Sequence, residues 1–226
     1  KWSEITVIGC NSWQAICNEV FTGINVITID EHRYARRLFY RLYVNFKVRK
    51  LSPKVTVVDA YFRRALMSDS LAWVANAKRT VVAMPYINKQ TQAEYLWYMS
   101  QNWEVINTGT YPTHETKRHA TFLALVAGRD LVIKSPAINW RDRPPENELS
   151  TPYAVLNPGS NEYGRRWPLS NYLNLARWLR TKGLTVVFVG KANENRNKDA
   201  LVSLKEDKGI VDLTGESTLP ELFDII

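Results

Sequence analysis

The stretch Asn157-Pro158-Gly159-Ser160-Asn161-Glu162-Tyr163-Gly164-Arg165-Arg166-Trp167-Pro168 decides the fold of this chain. Before it stands the apolar run Tyr153-Ala154-Val155-Leu156, which has the character of a buried strand. After it, Leu169 to Arg180 carries apolar residues at the spacing of an amphipathic helix. The stretch is therefore a basic, glycine-containing loop from strand to helix. Such loops in α/β proteins bind phosphate, because the free N–H groups of a helix start and the helix dipole both favour an anion. Gly159 and Gly164 permit a close approach of the backbone. Arg165 and Arg166 add charge with forked donor geometry. An ordinary βα loop with a solvated arginine pair would have the same pattern, and both possibilities stand. Trp167 is expected to anchor the loop by packing, and Pro168 to sit in the first helical turn.

Working outward, alternation of strand and helix continues on both sides. Downstream the expectation is strand 184–189, helix 194–204, strand 210–212 and a helix from Thr218, with Gly183 ending the helix that precedes the first of these. Upstream, Ile5 to Gly9 and Ile24 to Ile29 are β-branched strands, with a short helix Ser12 to Val20 between them. Glu31 to Lys50 is expected as one long helix. Leu38, Leu42 and Phe46 would form its core stripe, flanked by Phe39 and Tyr43, with seven Lys and Arg side chains on its other positions. Val55 to Val58 is a strand, Arg63 to Ala77 a helix, Thr80 to Ala83 a strand, and Gln90 to Trp103 a helix. Thr113 caps a further helix that Gly128 ends. Pro136, Pro144, Pro145 and Pro152 interrupt any regular element. The expected organisation is thus an N-terminal Rossmann-like domain over 1–135, a linker over 136–152 and a C-terminal domain over 153–226. Each half is α/β with a parallel sheet.

The chain has 226 residues, a formal net charge of +8, two cysteines and three histidines, and a pI near 9.5. That length accommodates one large or two modest domains. The basic balance favours an anionic partner: nucleic acid, a phosphorylated glycolipid on a membrane, or a nucleotide sugar. Cys10 and Cys17 are spaced as free thiols of a cytoplasmic protein, not as a metal pair. No apolar run is long enough to span a bilayer and no signal peptide opens the sequence. So few histidines preclude a multi-His site, and His114-Glu115 has no second histidine four residues on, which excludes a zinc-protease helix. No metal and no cofactor is expected.

Pro158-Gly159-Ser160, followed by Arg165 two places before Trp167-Pro168, resembles the donor loop of the heptosyltransferases, the ADP-heptose:lipopolysaccharide glycosyltransferases of family 9. Leu184 to Val189, Gly190 and then Glu194 resemble the family's strand–Gly–x–x–x–Glu segment. Asp212-Leu213-Thr214-Gly215 with Ser217-Thr218-Leu219-Pro220-Glu221-Leu222 resembles its Leu-Thr-Gly…Ser-Leu-x-Glu-Leu segment. The three motifs occur in order, and together they are far more specific than any one.

The resemblance implies a GT-B type enzyme of two Rossmann-like domains with a cleft between them. Such an enzyme would move a heptose or related sugar from an ADP-sugar to a lipopolysaccharide-core glycolipid, with inversion and without a metal. Arg165 would stand where the family usually has a Lys on the donor phosphate, and Gly159, Ser160 and Asn161 would surround that phosphate. Glu194 would lie by the ribose, and Leu213, Thr214 and Ser217 by the nucleobase. A helix-turn Glu, a strand end and an N-cap would account equally for these four.

The family's base-bearing Gly-Asp turn has no match: Cys10-Asn11-Ser12-Trp13 follows the first strand. Its terminal phosphate-cradling segment has none either. The chain is accordingly expected to be a fragment lacking both ends, whose last helix leaves an apolar face without a partner. Asp30 and Asp59, at strand ends, are the weak candidates for a base. The basic helix 31–50 is either a solvated face or a peripheral contact with the anionic inner membrane. A non-catalytic nucleotide- or glycan-binding module is the alternative function. A basic nucleic-acid-binding protein comes behind it, since no specific nucleic-acid module is present.

Overall fold

A computed structural model describes residues 4–131, 138, 140–141, 149, 152–160, 162–191 and 207–226. The chain divides into two compact units, one of Lys1–Gln14 and Gly23–Ile138, the other of Ala15–Thr22 and Asn139–Ile226. Every strand pair among the described residues is parallel. The α/β class is therefore met.

In the first unit, β1 (Thr6–Cys10) pairs with β2 (Asn25–Ile29). A separate sheet has the order β3 (Val55–Val58), β4 (Arg79–Ala83), β5 (Glu104–Ile106). Central β4 buries Thr80 through Ala83, which explains its unbroken apolar character. Strand β5 begins just beyond Trp103, where the stretch expected to be all helix ends. Within that stretch α5 runs only over Gln92–Met99. The short helix expected over Ser12 to Val20 is instead a 3₁₀ turn, Asn11–Trp13, and a four-residue helix, α1 (Cys17–Val20).

The long basic helix is two helices, α2 (Glu31–Arg36) and α3 (Leu38–Lys50), because Arg37 is extended at φ −114° and ψ 104°. Arg41 holds the break: its Nε donates to Tyr34 O at 2.9 Å and its Nη2 to Ala35 O at 2.6 Å, so the orphan carbonyls at the end of α2 are satisfied. The predicted core stripe is also displaced. Leu38, Phe39, Leu42, Tyr43 and Phe46 are all exposed, while Tyr34, Val44 and Val48 enter the core with Ile29, Met67 and Leu71. A π-turn, Ala65–Asp69, leads into α4 (Ser70–Ala75). Helix α6 (Glu115–Ala127) starts after His114, not after Thr113, whose hydroxyl donates to Thr110 O at 2.6 Å. Gly128 ends α6 in the left-handed region at φ 64°, as expected.

The second unit has the sheet order β6 (Tyr153–Leu156), β7 (Thr185–Phe188), β8 (Ile210–Asp212). Strand β7 is buried on both faces. Val186 and Phe188 pack with Leu173 and Ala176 of α7 (Leu169–Thr181), and Val187 packs with Ile225 of α8 (Leu219–Ile225). The helix expected over 194–204 lies outside the described residues. Thr218 caps α8 in a capping box with Glu221. The expected bare face of this last helix is corrected: Ile225 is 1% exposed, Phe223 lies 4.9 Å from the Trp140 ring, and the buried Asp224 carboxylate accepts bonds from Trp140 Nε1 and from Arg141. Packing against β7 and these partners gives that face its cover.

Candidate functional site

Parallel pairing sends the chain out of β6, β7 and β8 at one edge of the sheet, and the three motif segments meet there. Leu156 is level with Phe188, and Phe188 with Asp212. Next come the Pro158-Gly159-Ser160 loop, Gly190 at φ 143°, and Leu213-Thr214-Gly215. Gly215 N–H donates to Gly190 O at 2.8 Å, which ties the second and third exits together. Ligands of open α/β sheets bind at this edge.

The loop after β6 is organised by its own side chains. Gly159 N–H donates to Asn157 Oδ1 at 3.0 Å, and Glu162 N–H to Ser160 Oγ at 3.2 Å. Arg166 Nε donates to Ser160 O at 2.9 Å, so the second arginine fastens the loop. Arg165 is the exposed one, and its Nε sits 2.8 Å from Glu162 Oε2 in a solvent-facing pair. Neither Gly159 nor Gly164 adopts a positive φ, and a side chain on Gly164 would meet open space. Trp167 packs edge-on to Tyr172 at 5.0 Å, and Pro168 is the N-cap of α7 instead of a residue within its first turn.

Of the other expected donor-site residues, Leu213 is a core residue, packed with Val187, Val189 and Ile225. Ser217 Oγ donates to Leu213 O at 3.4 Å. Thr214 differs from both. Its N–H donates to Asp212 Oδ1 at 3.0 Å, but its hydroxyl oxygen is buried with no hydrogen-bond partner among the described residues. A buried hydroxyl of that kind is costly to leave unpaired and marks where a ligand or water would bond. Asn161 and Glu194 lie outside the described residues.

The first unit presents the carboxyl ends of β3, β4 and β5. Asp30, expected as a possible base, is the N-cap of α2: its Oδ1 accepts from Arg33 N–H at 2.9 Å. Asp59, at the end of β3, instead has its Oδ2 2.8 Å from Nδ1 of His119 on α6, both side chains partly exposed. Sixty positions separate the two residues, so no local spacing signals the pair. Two buried arginines pin the loops around it. Arg63 makes a fork to Asp69, 2.9 Å on both arms, and donates to Ala60 O and Ala83 O, past the end of β3 and at the end of β4. Arg118 donates to Gly109 O at 2.6 Å and Thr110 O at 2.8 Å, in the loop after β5. Both side chains are over 95% buried, a placement that composition disguises because arginines are usually at the surface.

Among the described residues no group of His, Cys, Asp and Glu is arranged to hold a metal, and no helix is long and apolar enough to cross a membrane. The sequence matches no curated protein. It superposes on the crystal structure of a glycosyl transferase family 9 protein from Veillonella parvula with a TM-score of 0.70 and 15% identity, over 97% of this chain and 63% of that one. It also superposes on the E. coli ADP-heptose lps heptosyltransferase II with a TM-score of 0.61 and 14% identity, over 98% of this chain and 66% of that one. The chain thus spans about two thirds or less of these structures, and at such identities the likeness is one of fold. The family model described as Glycosyltransferase family 9 (heptosyltransferase) matches residues 87–226, including all three motif segments at the exit edge of β6, β7 and β8. The chain belongs to glycosyltransferase family 9.

Proposed function

We propose that this chain is the larger part of a glycosyltransferase that moves a heptose or related sugar from an ADP-sugar to a lipopolysaccharide-core acceptor, with inversion and without a metal. The observation that carries this proposal is the convergence of the Pro-Gly-Ser loop, Gly190 and a Thr214 hydroxyl without a partner among the described residues at one sheet edge, inside the matched family segment. Arg165 would leave its exposed carboxylate partner for the donor diphosphate, since an exposed ion pair is weakly held. The loop N–H groups and Ser160 Oγ would add hydrogen bonds to phosphate oxygens as the diphosphate departs. Thr214 and Ser217 would meet the nucleoside. Asn161 and Glu194 are assigned to phosphate and ribose by resemblance, and Leu213 would shape the pocket from the core.

In the reaction the acceptor hydroxyl oxygen bonds to the anomeric carbon, the bond from that carbon to the diphosphate oxygen breaks, and the hydroxyl proton passes to a base. The Asp59–His119 pair supports that last role better than Asp30, whose carboxylate is engaged as a helix cap. With Nδ1–H donated to Asp59, Nε2 of His119 would be left to take the proton. The partners would then be a nucleotide-sugar donor and a glycolipid acceptor. Their anionic groups, and an anionic membrane surface, suit the net charge of +8.

Calorimetric titration of ADP and an ADP-sugar into the protein tests the donor site. Arg165→Ala and Thr214→Val should each weaken binding about tenfold, the loss expected for one good hydrogen bond to a charged group. Unchanged affinity in both variants overturns the assignment. Binding without transfer to a core oligosaccharide would favour the non-catalytic module instead.

A further inference from the structure

The carboxyl-end rim of the first unit carries a cluster of aromatic rings that nothing in the donor chemistry uses. Tyr61 and Phe62 follow β3, Tyr86 follows β4, and Tyr111 follows β5. Ring centroids are 5.0 Å apart for Tyr61–Phe62, 5.3 Å for Phe62–Tyr86, 5.9 Å for Phe62–Tyr111 and 6.3 Å for Tyr86–Tyr111. Three of these are open to solvent: Phe62 at 58%, Tyr86 at 42% and Tyr111 at 65%. Beneath them the buried Arg118 guanidinium lies 3.6 Å from the Tyr61 ring centre and bonds the loop leading to Tyr111. The cluster is therefore a preorganised platform, built by three separate loops and held from below.

Its surroundings identify the kind of ligand. Phe62 and Tyr86 also wall a cleft of about 540 Å³, whose other sides carry Glu31, Arg64, Asn88 and Thr91. That volume lies in the range of small-ligand sites. The cleft is neither all apolar, as a lipid or helix groove would be, nor all basic, as a nucleic-acid track would be. A pyranose ring has the matching amphipathic form. Its face of C–H groups, slightly positive, rests on the negative face of an aromatic ring, while its rim of hydroxyls seeks donors and acceptors. The Asp59–His119 pair lies close in the chain to both ends of the platform's support, two residues before Tyr61 and one after Arg118.

We infer that Phe62, Tyr86 and Tyr111 form a carbohydrate-stacking subsite that seats the glycan of the acceptor by its ring faces. This rests on the proposal that the Asp59–His119 pair of the first unit takes the proton of the acceptor hydroxyl. The test titrates deacylated lipopolysaccharide-core oligosaccharide into the whole protein and, in parallel, records saturation-transfer NMR from aromatic protons to sugar ring protons. Phe62→Ala and Tyr111→Ala should each weaken binding about tenfold, as removal of one stacking ring does elsewhere. Tyr111→Phe keeps the ring and should keep the affinity. Phe39→Ala, an exposed ring far along the sequence on α3, should change nothing.

ADP affinity on the same samples reports folding and the donor site independently. Ring-dependent glycan binding supports the subsite even if ADP fails to bind, in which case the donor assignment alone falls. The inference is overturned if wild type binds no oligosaccharide, if the alanine variants bind it as wild type does, or if Tyr111→Phe loses as much as Tyr111→Ala. It is equally overturned if the alanine variants lose only binding to phosphatidylglycerol vesicles, which would make the platform a membrane contact.

Discussion

The rims of the two units use arginine in opposite ways. Around β3, β4 and β5, Arg63 and Arg118 are buried and spend their donors on backbone carbonyls and on Asp69. Around β6, the Arg165 side chain is exposed beside Glu162, and among the described residues the Arg166 side chain bonds the loop backbone. The same guanidinium therefore builds a fixed shelf in one place and offers an available charge in the other. Burial decides which: a buried fork is locked because releasing it leaves charges without water, whereas an exposed one exchanges partners at little expense.

The largest expected effect would break the fixed rim. Asp69→Ala leaves Arg63 buried and uncompensated and should destabilise the first unit by about 3–5 kcal/mol. Urea unfolding with hydrogen exchange over residues 60–70 reads this, and a loss below about 1 kcal/mol would mean the two rims are not different in kind. A second experiment sharpens the contrast within the loop after β6. Arg166→Ala removes the bond to Ser160 O and should lower stability by about 1 kcal/mol, whereas Arg165→Ala should change it by less than about 0.5 kcal/mol. Equal losses would erase the distinction drawn between the two arginines.

The smallest effect concerns two pairs outside both rims, one exposed and one half-buried. Arg79 forks to Glu104 and holds that carboxyl below its ordinary value of 4.5. Arg180 likewise holds Asp207 below its ordinary 3.8, with help from Gly209 N–H. A carboxylate with a depressed pKa stabilises the fold at pH above its ordinary value, and that contribution fades as pH falls through the folded-state value. Arg79→Met and Arg180→Met should therefore be slightly less stable than wild type at neutral pH and converge with it as pH falls below the ordinary values of 4.5 and 3.8 and through the lower folded-state values. Denaturation curves across that interval would show it, and a difference that grew on acidification would contradict the sign.

Much of the sheet framework was legible because β-branched runs such as Val55–Val58 and Val186–Phe188 have no competing pattern. Caps were legible where a residue and its partner are local, as at Thr218 with Glu221 and at Gly128. The face of α3 was not: Leu38, Leu42 and Phe46 have helical spacing whether or not anything covers them. Nor was the break at Arg37, which depends on Arg41 finding the carbonyls of Tyr34 and Ala35. The donor loop was evident as a motif, yet the split between Arg165 and Arg166 needs the loop's path. Asp59 with His119, and the rings after β3, β4 and β5, come together only through the parallel topology.

That topology also sets an order of events as the chain emerges and folds. Tyr153 of β6 meets Thr185 of β7, and Val186 of β7 meets Ile210 of β8. A parallel pair needs a crossover of about a dozen residues or more, so no strand here can zip against its neighbour through a hairpin. The whole crossover that carries helix α7 must be synthesised before the first ladder can close, and contacts of such long sequence separation form slowly. Until then the apolar strand Tyr153–Leu156 stays unprotected, which makes the interval between synthesis of β6 and β7 the period when this half of the protein most needs a chaperone.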